Sequence, residues 1–258
     1  MSKRHLIVPP RVILLIALVV SSFFINAYNT ELFGQLNSLH SNLSDAFWVS
    51  MTTMGDGLLL GVVLGMFIIV NPRITVFGLL LLLSSSITVN FIKAIVPELR
   101  PAEMLGAVHF VGPVLRSGSF PSGHSAAAFA TALSIAHFSS SRALKVCLLL
   151  FGTLVGLSRI FIGAHFPNDV VWGIIVALIL YEVLCEFWWP RIEFFVPDSP
   201  PMDNSYFRFA LSLEVALSLF CLVVYSQMFA EYPPAAIAVS SGVLTFFVIA
   251  FVKIVKNY

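Results

Sequence analysis

The sequence predicts an all-α, polytopic membrane protein: a bundle of transmembrane helices with no separate soluble domain. Three observations carry this reading. Of 258 residues, 59% are hydrophobic and 24 are Phe, more apolar surface than one water-soluble core can enclose, so the bilayer must act as solvent. Only 10% are Asp, Glu, Lys or Arg, against about a quarter in an ordinary soluble domain. Apolar runs of about 20 residues, the length that crosses a bilayer, recur along the chain.

Taken in order, spans are expected near 11–28, 50–70, 74–92, 124–138, 143–162, 169–188, 207–229 and 235–252. The first follows Lys3 and Arg4, but Ile25-Asn26-Ala27 makes a poor cleavage site, so it reads as an uncleaved helix rather than a signal peptide. Next, Leu32, Phe33, Leu36, Leu39, Leu43 and Phe47 recur at helical spacing, with Gln35, Asn37, Ser41 and Asn42 on other faces. This pattern predicts an amphipathic helix, either lying in the membrane interface or packed on its neighbours. The segment at 124–138 is short for a span. Pro190, Pro197, Pro200 and Pro201 predict an irregular connection from Trp188 to about Tyr206. The expected organisation is an N-terminal helix over 1–29, a six-helix core with the polar motifs within 30–188, and over 189–258 a connection followed by a helical hairpin. Cys147, Cys185 and Cys221 show no metal or disulfide spacing and are expected to fill apolar space.

Basic residues set the orientation. With a cytoplasmic N-terminus, Lys3, Arg4, Arg11, Arg73, Arg142, Lys145, Arg191, Arg208, Lys253 and Lys256 all fall on the cytoplasmic side. Lys93, Arg100, Arg116 and Arg159 are then left outside. Three of these belong to short polar clusters, so the exceptions to the topology rule coincide with the chemistry.

The first cluster is Lys93 with Arg100-Pro101. Pro97 and Pro101 end helical continuation after Lys93 and allow the two cations to approach. Arg offers a planar fork to phosphate oxygens and Lys a point charge. In the second, Pro121-Ser122-Gly123-His124 opens an Ala-rich helix. A helix N-terminus favours anions through its free N–H groups and dipole, Gly123 permits close backbone approach, and His124 can pass a proton near neutral pH. The third is Ser158-Arg159 with His165 and Asp169. Pro167 and Asn168 predict a helix start, which puts the Asp169 carboxylate beside the His165 imidazole. A carboxylate on one ring nitrogen leaves the other as a lone-pair nucleophile. The residues alone do not choose between His165 as nucleophile and His165 as base to a water. Read without partners, the clusters also fit a solvated Lys/Arg loop, a plain N-cap and a passive His beside a helix cap.

Jointly, Lys93 to Arg100-Pro101, Pro121-Ser122-Gly123-His124, and Ser158-Arg159 through His165 to Asp169 resemble the tripartite signature of the type 2 phosphatidic acid phosphatase superfamily. The resemblance extends over roughly 30–188, including the Gly55-Asp56-Gly57 turn, with the last helical pair beyond the six-helix core. It implies a metal-independent, cofactor-free lipid phosphatase with a phosphohistidine intermediate. His165 would attack phosphorus, Asp169 orient it, and His124 protonate the leaving group. Lys93, Arg100, Ser122, Gly123 and Arg159 would bind the phosphoryl oxygens.

A site at the ends of spanning helices suits a lipid phosphate or pyrophosphate whose chain stays in the bilayer, and the resemblance does not select among such lipids. The expected setting is a bacterial inner membrane, both termini cytoplasmic and the site facing the periplasm, with no nucleic-acid partner. His109 and Arg116 are candidate contacts for a headgroup or second phosphate. A phosphotransferase of the same superfamily is the alternative. A transporter is disfavoured because polar residues gather at one interface rather than at mid-bilayer, Glu214 excepted, and a silent lipid binder because both histidines are present.

Overall fold

The computed structural model describes residues 10–112, 117–199 and 204–228. Lys3, Arg4, Arg116, Lys253, Lys256 and the expected span at 235–252 lie outside these, as do the side chains of Arg11, Arg208 and Glu214.

Helix α1 (Pro10–Ala27) bends by 87° into α2 (Asn29–Ser38) and a following 3-10 turn. Ser44 then caps α3 (Asp45–Met54), accepting from Phe47 N at 3.3 Å. The expected amphipathic helix is therefore broken at Ser44, and it packs on its neighbours, with Phe33 fully buried edge-on to Phe166. Asn37, expected on a polar face, is buried as well.

The expected span at 50–70 is two helices, α3 and α4 (Gly57–Met66), bent by 58°. The break has a local cause. Asp56 Oδ1 accepts from Leu58 N at 2.8 Å and Leu59 N at 3.4 Å, so it caps a new helix start rather than continuing the old one. Asn71 and Pro72 start α5 (Pro72–Ile95) in the same way, and the short α6 (Pro101–Leu105) follows. Next come α7 (Gly123–Phe138), α8 (Arg142–Phe161) and α9 (Pro167–Val183).

Beyond α9 the chain does not become irregular at Trp188 as expected. A π turn over Leu184–Trp188 leads into α10 (Trp189–Ile192) and a final 3-10 turn to Phe195. Pro190 sits in the first turn of α10, where its missing N–H breaks no bond. Helix α11 (Asn204–Met228) is the last described element.

Among the described residues three helical stretches are long and apolar enough to cross a membrane singly, Pro72–Ile95, Arg142–Phe161 and Pro167–Phe195, and the two bent pairs bring the number to five. About eight spans were expected, and the five correspond to those near 11–28, 50–70, 74–92, 143–162 and 169–188. Of the other three, α7 has 16 residues and reaches only about 24 Å at 1.5 Å per residue, and the expected spans at 207–229 and 235–252 lie partly and wholly outside the described residues.

Helix α7 is the centre of the bundle. It packs against α4, α5, α8 and α9, and Ala126, Ala127, Ala128, Ala130 and Ala132 are all buried. Small side chains let backbones close in. At Gly173 of α9 an added Cβ would stand 2.5 Å from Ser122 O and 3.0 Å from Ser125 Cβ. Outer faces invert the pattern of a soluble protein: Phe23, Phe24, Ile87 and Phe91 are exposed, whereas Ser85, Thr131 and Ser134 are buried. Cys221 packs beside Trp48 and Val49 as a small apolar filler, but Cys147 is exposed on α8 and fills nothing.

Alternating helix directions separate the charges. Arg73 opens α5 and Lys93 closes it; Arg142 opens α8 and Arg159 closes it. At the end opposite the motifs, Arg73 donates to Val196 O and pairs with Asp198, and Phe77, Phe138, Tyr181 and Trp189 form an aromatic cluster.

Replacing Gly173 tests the close contact between α9 and the start of α7. Gly173→Leu is expected to cost about 1–3 kcal/mol or more by overpacking. Gly34→Ala, which meets nothing within 4 Å, is expected to be neutral or slightly stabilising. Melting temperatures in detergent compare the two, and equal values would refute the packing argument.

Candidate active site

Four helix ends converge at the motif end of the bundle: the C-termini of α5 and α8 and the N-termini of α7 and α9. The residues singled out in the sequence meet there. Arg100, Ser122, Arg159, His165 and Asp169 are buried, while Gly123 and His124 are partly exposed.

Asp169 is fully buried at the third position of α9. Its Oδ2 accepts from Ser119 Oγ at 2.6 Å and Phe166 N at 2.9 Å, and lies 3.2 Å from His165 Nδ1. A proton on Nδ1 satisfies that contact and leaves the lone pair on Nε2. Arg100 Nη1 stands 3.4 Å from that Nε2. Burial first, then the charges of Arg159, Arg100 and Lys93, hold the His165 imidazole well below the ordinary histidine range. The ring is therefore neutral at physiological pH.

The cations are held mostly by backbone carbonyls. Lys93 Nζ donates to Gly118 O and, at 3.0 Å, to Ser119 O. Arg100 donates to Ser117 O at 3.0 Å through Nε and to Ala164 O at 2.8 Å through Nη1. Arg159 Nη1 bonds the Thr52 hydroxyl, while its Nε finds no protein partner among the described residues. Glu98, whose carbonyl receives Ser119 N, is shifted upward by burial and by the charge of Asp169.

Ser122 is the N-cap of α7. Its Oγ accepts from Ser125 N at 3.3 Å and Ser125 Oγ at 2.9 Å, and its own N–H goes to Asp169 O at 2.9 Å. The Ser122 hydroxyl is thus engaged in capping. The first-turn N–H groups of Gly123 and His124 have no partner within the helix. His124 Nε2 lies 4.0 Å from Asp56 Oδ2.

Four residues escaped the sequence reading. Ser119 holds Asp169, Thr52 holds Arg159, and Asp56 faces His124. Asn37 donates to Ile160 O at 3.0 Å and Phe161 O at 3.1 Å, capping the end of α8 just beyond Arg159. Only Asp56 left a trace in sequence, as the centre of Gly55-Asp56-Gly57. The other three act across 50 to 124 residues of chain, a distance that no local pattern encodes. The His109 imidazole, a candidate headgroup contact in the sequence, lies 2.9 Å from Asp45 Oδ1 and stacks on His40.

An apolar groove of about 780 Å³ begins at Asp56 and runs between α4, α5 and α11, past Gly61, Leu82, Phe209 and Leu217. Its lining includes Asp56, the residue that faces His124.

The chain and its fold are similar to known proteins. Residues 74–193 match the family model of the PAP2 superfamily. An 80-residue stretch, 31% of this chain, is 39% identical to undecaprenyl-diphosphatase BcrC of Bacillus subtilis (strain 168), of which it spans 40%. Among solved structures, LpxE of Aquifex aeolicus matches with a TM-score of 0.58 at 30% identity, over 62% of this chain and 95% of that one. A transmembrane PAP2 type phosphatidylglycerolphosphate phosphatase from Bacillus subtilis matches with a TM-score of 0.53 at 22% identity, over 69% of this chain and 94% of that one; at that identity the likeness concerns the fold. With four helix ends of the matched region bringing its polar residues together, residues 74–193 form a PAP2 superfamily domain, and through it this integral membrane protein belongs to the PAP2 superfamily.

Proposed function

We propose that this protein is a membrane-embedded phosphatase that removes phosphate from a lipid phosphate or lipid pyrophosphate through a phosphohistidine intermediate. The observation that carries the proposal is the buried His165, with Nδ1 on Asp169, Nε2 turned toward Arg100 Nη1 at 3.4 Å, and the charges of Lys93, Arg100 and Arg159 around it.

In the first step the Nε2 lone pair of His165 forms a bond to phosphorus while the bond from phosphorus to the leaving oxygen breaks. His124 donates its proton to that oxygen. Asp169 stabilises the positive charge that develops on the His165 ring. Lys93, Arg100, Arg159 and the N–H groups of Gly123 and His124 hold the phosphoryl oxygens as charge builds on them. In the second step water attacks phosphorus, His124 takes a proton from it, and the phosphorus–nitrogen bond breaks, returning His165 and releasing phosphate.

Metal independence rests on the donor set. Asp169 Oδ2 already meets three donors, and the surrounding side chains are cationic, an environment that disfavours a divalent ion. The groove below Asp56 supports a lipid substrate, because a chain can remain in apolar surroundings while its phosphate reaches His124. Similarity to an undecaprenyl-diphosphatase favours testing pyrophosphate lipids beside monophosphates. The distribution of basic residues supports an outward-facing site in a bacterial inner membrane, with both termini cytoplasmic.

Purified protein in EDTA, given lipid monophosphates and pyrophosphates side by side, is expected to release inorganic phosphate. His165→Ala should lower release on the order of 10³-fold or more, as removal of a nucleophile does elsewhere. Equal release by the variant would sink the mechanism. No release across the panel would sink the activity itself.

The depressed affinity of His165 for protons also shapes stability. Below the unfolded-state value of about 6.5, the unfolded chain binds this proton while the folded chain does not, so stability falls as pH falls through that range. Wild-type protein in detergent is expected to lose melting temperature more steeply below pH 6.5 than His165→Gln. Parallel slopes would contradict the burial of a neutral imidazole.

A further inference from the structure

Away from the phosphate-binding residues, His40, Asp45 and His109 bring one ligand atom each to within 4.8 Å of one another. They come from three separate segments: the 3-10 turn after α2, the first position of α3, and the loop after α6. We propose that these three residues bind a transition-metal cation of the zinc class, with one coordination position open to water.

The backbone under each ligand is fixed. Trp48 Nε1 donates to His40 O at 3.3 Å. Asn37 clamps His109 from both sides, donating to its carbonyl at 3.0 Å and accepting from its N–H at 3.1 Å. Asp45 stands in the first turn of a helix capped by Ser44. The side chains are partly exposed rather than locked in the core. The His40 and His109 rings stack 3.4 Å apart at 6°, and His109 Nε2 is 2.9 Å from Asp45 Oδ1.

Ligand atoms 2.0–2.1 Å from a tetrahedral ion stand about 3.3 Å apart, so closing the site requires rotation of partly exposed side chains. Two imidazoles and one carboxylate suit zinc better than magnesium or calcium, which favour all-oxygen shells. A cleft of about 430 Å³ lined by Gly34, Asn37, Ser38, His40, Leu105 and His109 gives an ion access.

The site differs from the proposed reaction centre but touches the turn that carries it. At Gly163, with φ of 75°, an added Cβ would lie 2.2 Å from His109 O. Gly163 stands between Arg159 and His165. A bound ion would fasten α2, α3 and the 106–112 loop to one another, and through His109 against that turn.

Tag-free protein, stripped with a chelator and titrated with Zn²⁺ alone, tests this by calorimetry and metal analysis after dialysis. One Zn²⁺ per chain and a higher melting temperature are expected. The His40→Asn/His109→Asn variant, and separately Asp45→Asn, should bind at least tenfold more weakly and lose the zinc-dependent rise in melting temperature. A wild-type chain that holds no zinc would overturn the proposal whether or not the variants fold. Undiminished zinc binding by folded variants would overturn it equally. Because binding is read without substrate, failure here leaves the phosphatase reading untouched, and failure of hydrolysis leaves this one standing.

Discussion

The buried carboxylate of Asp169 is the constraint on which the rest of the site depends. An ionised carboxylate removed from water is costly unless hydrogen bonds and opposite charges compensate it. Here Ser119 Oγ, Phe166 N and His165 Nδ1 all meet Oδ2, and the Asp169 carbonyl receives the N–H of Ser122. One residue therefore joins the start of α9, the 117–119 segment, the start of α7 and the His165 ring. The donors that stabilise the charge are the same groups that set the geometry around the imidazole.

Around that centre the protein interior supplies what the bilayer cannot. Lys93 and Arg100 have carbonyl partners that are not part of any helix, contributed by the 117–119 segment and by Ala164. Irregular backbone of this kind is tolerated at membrane depth only where protein or water surrounds it. The tight contact at Gly173, and a similar one at Gly156, where an added Cβ would lie 2.8 Å from Val170 Cγ1, let α7, α8 and α9 close in around the polar cluster.

The segment before α4 plays a larger part than its weak amphipathic pattern implies. Asn37 joins α2 to the end of α8 and to His109, and Thr52 on α3 reaches Arg159. Asn168 at the start of α9 donates its backbone N–H to Asn29 Oδ1 at 3.0 Å and its side-chain Nδ2 to Asn26 Oδ1 at 3.2 Å. The motif end of the bundle is thereby tied together by polar side chains.

Sequence alone determined the class of protein and which polar residues its motifs bring together. Scarcity of charge required a membrane, helix-start residues such as Pro167 and Ser122 placed His165 near Asp169 and His124 in a first helical turn, and the spacing of basic residues separated the two ends of the bundle. These are local or compositional properties, so one stretch of chain suffices to read them. Tertiary structure decided the bend at Asp56, the burial of Asn37, the engagement of Ser122 as a cap, and the pairings Ser119–Asp169, Thr52–Arg159 and His109–Asp45. Each depends on segments far apart in the chain approaching within hydrogen-bond distance, and that approach is set by helix packing, which the order of residues in any one segment does not record.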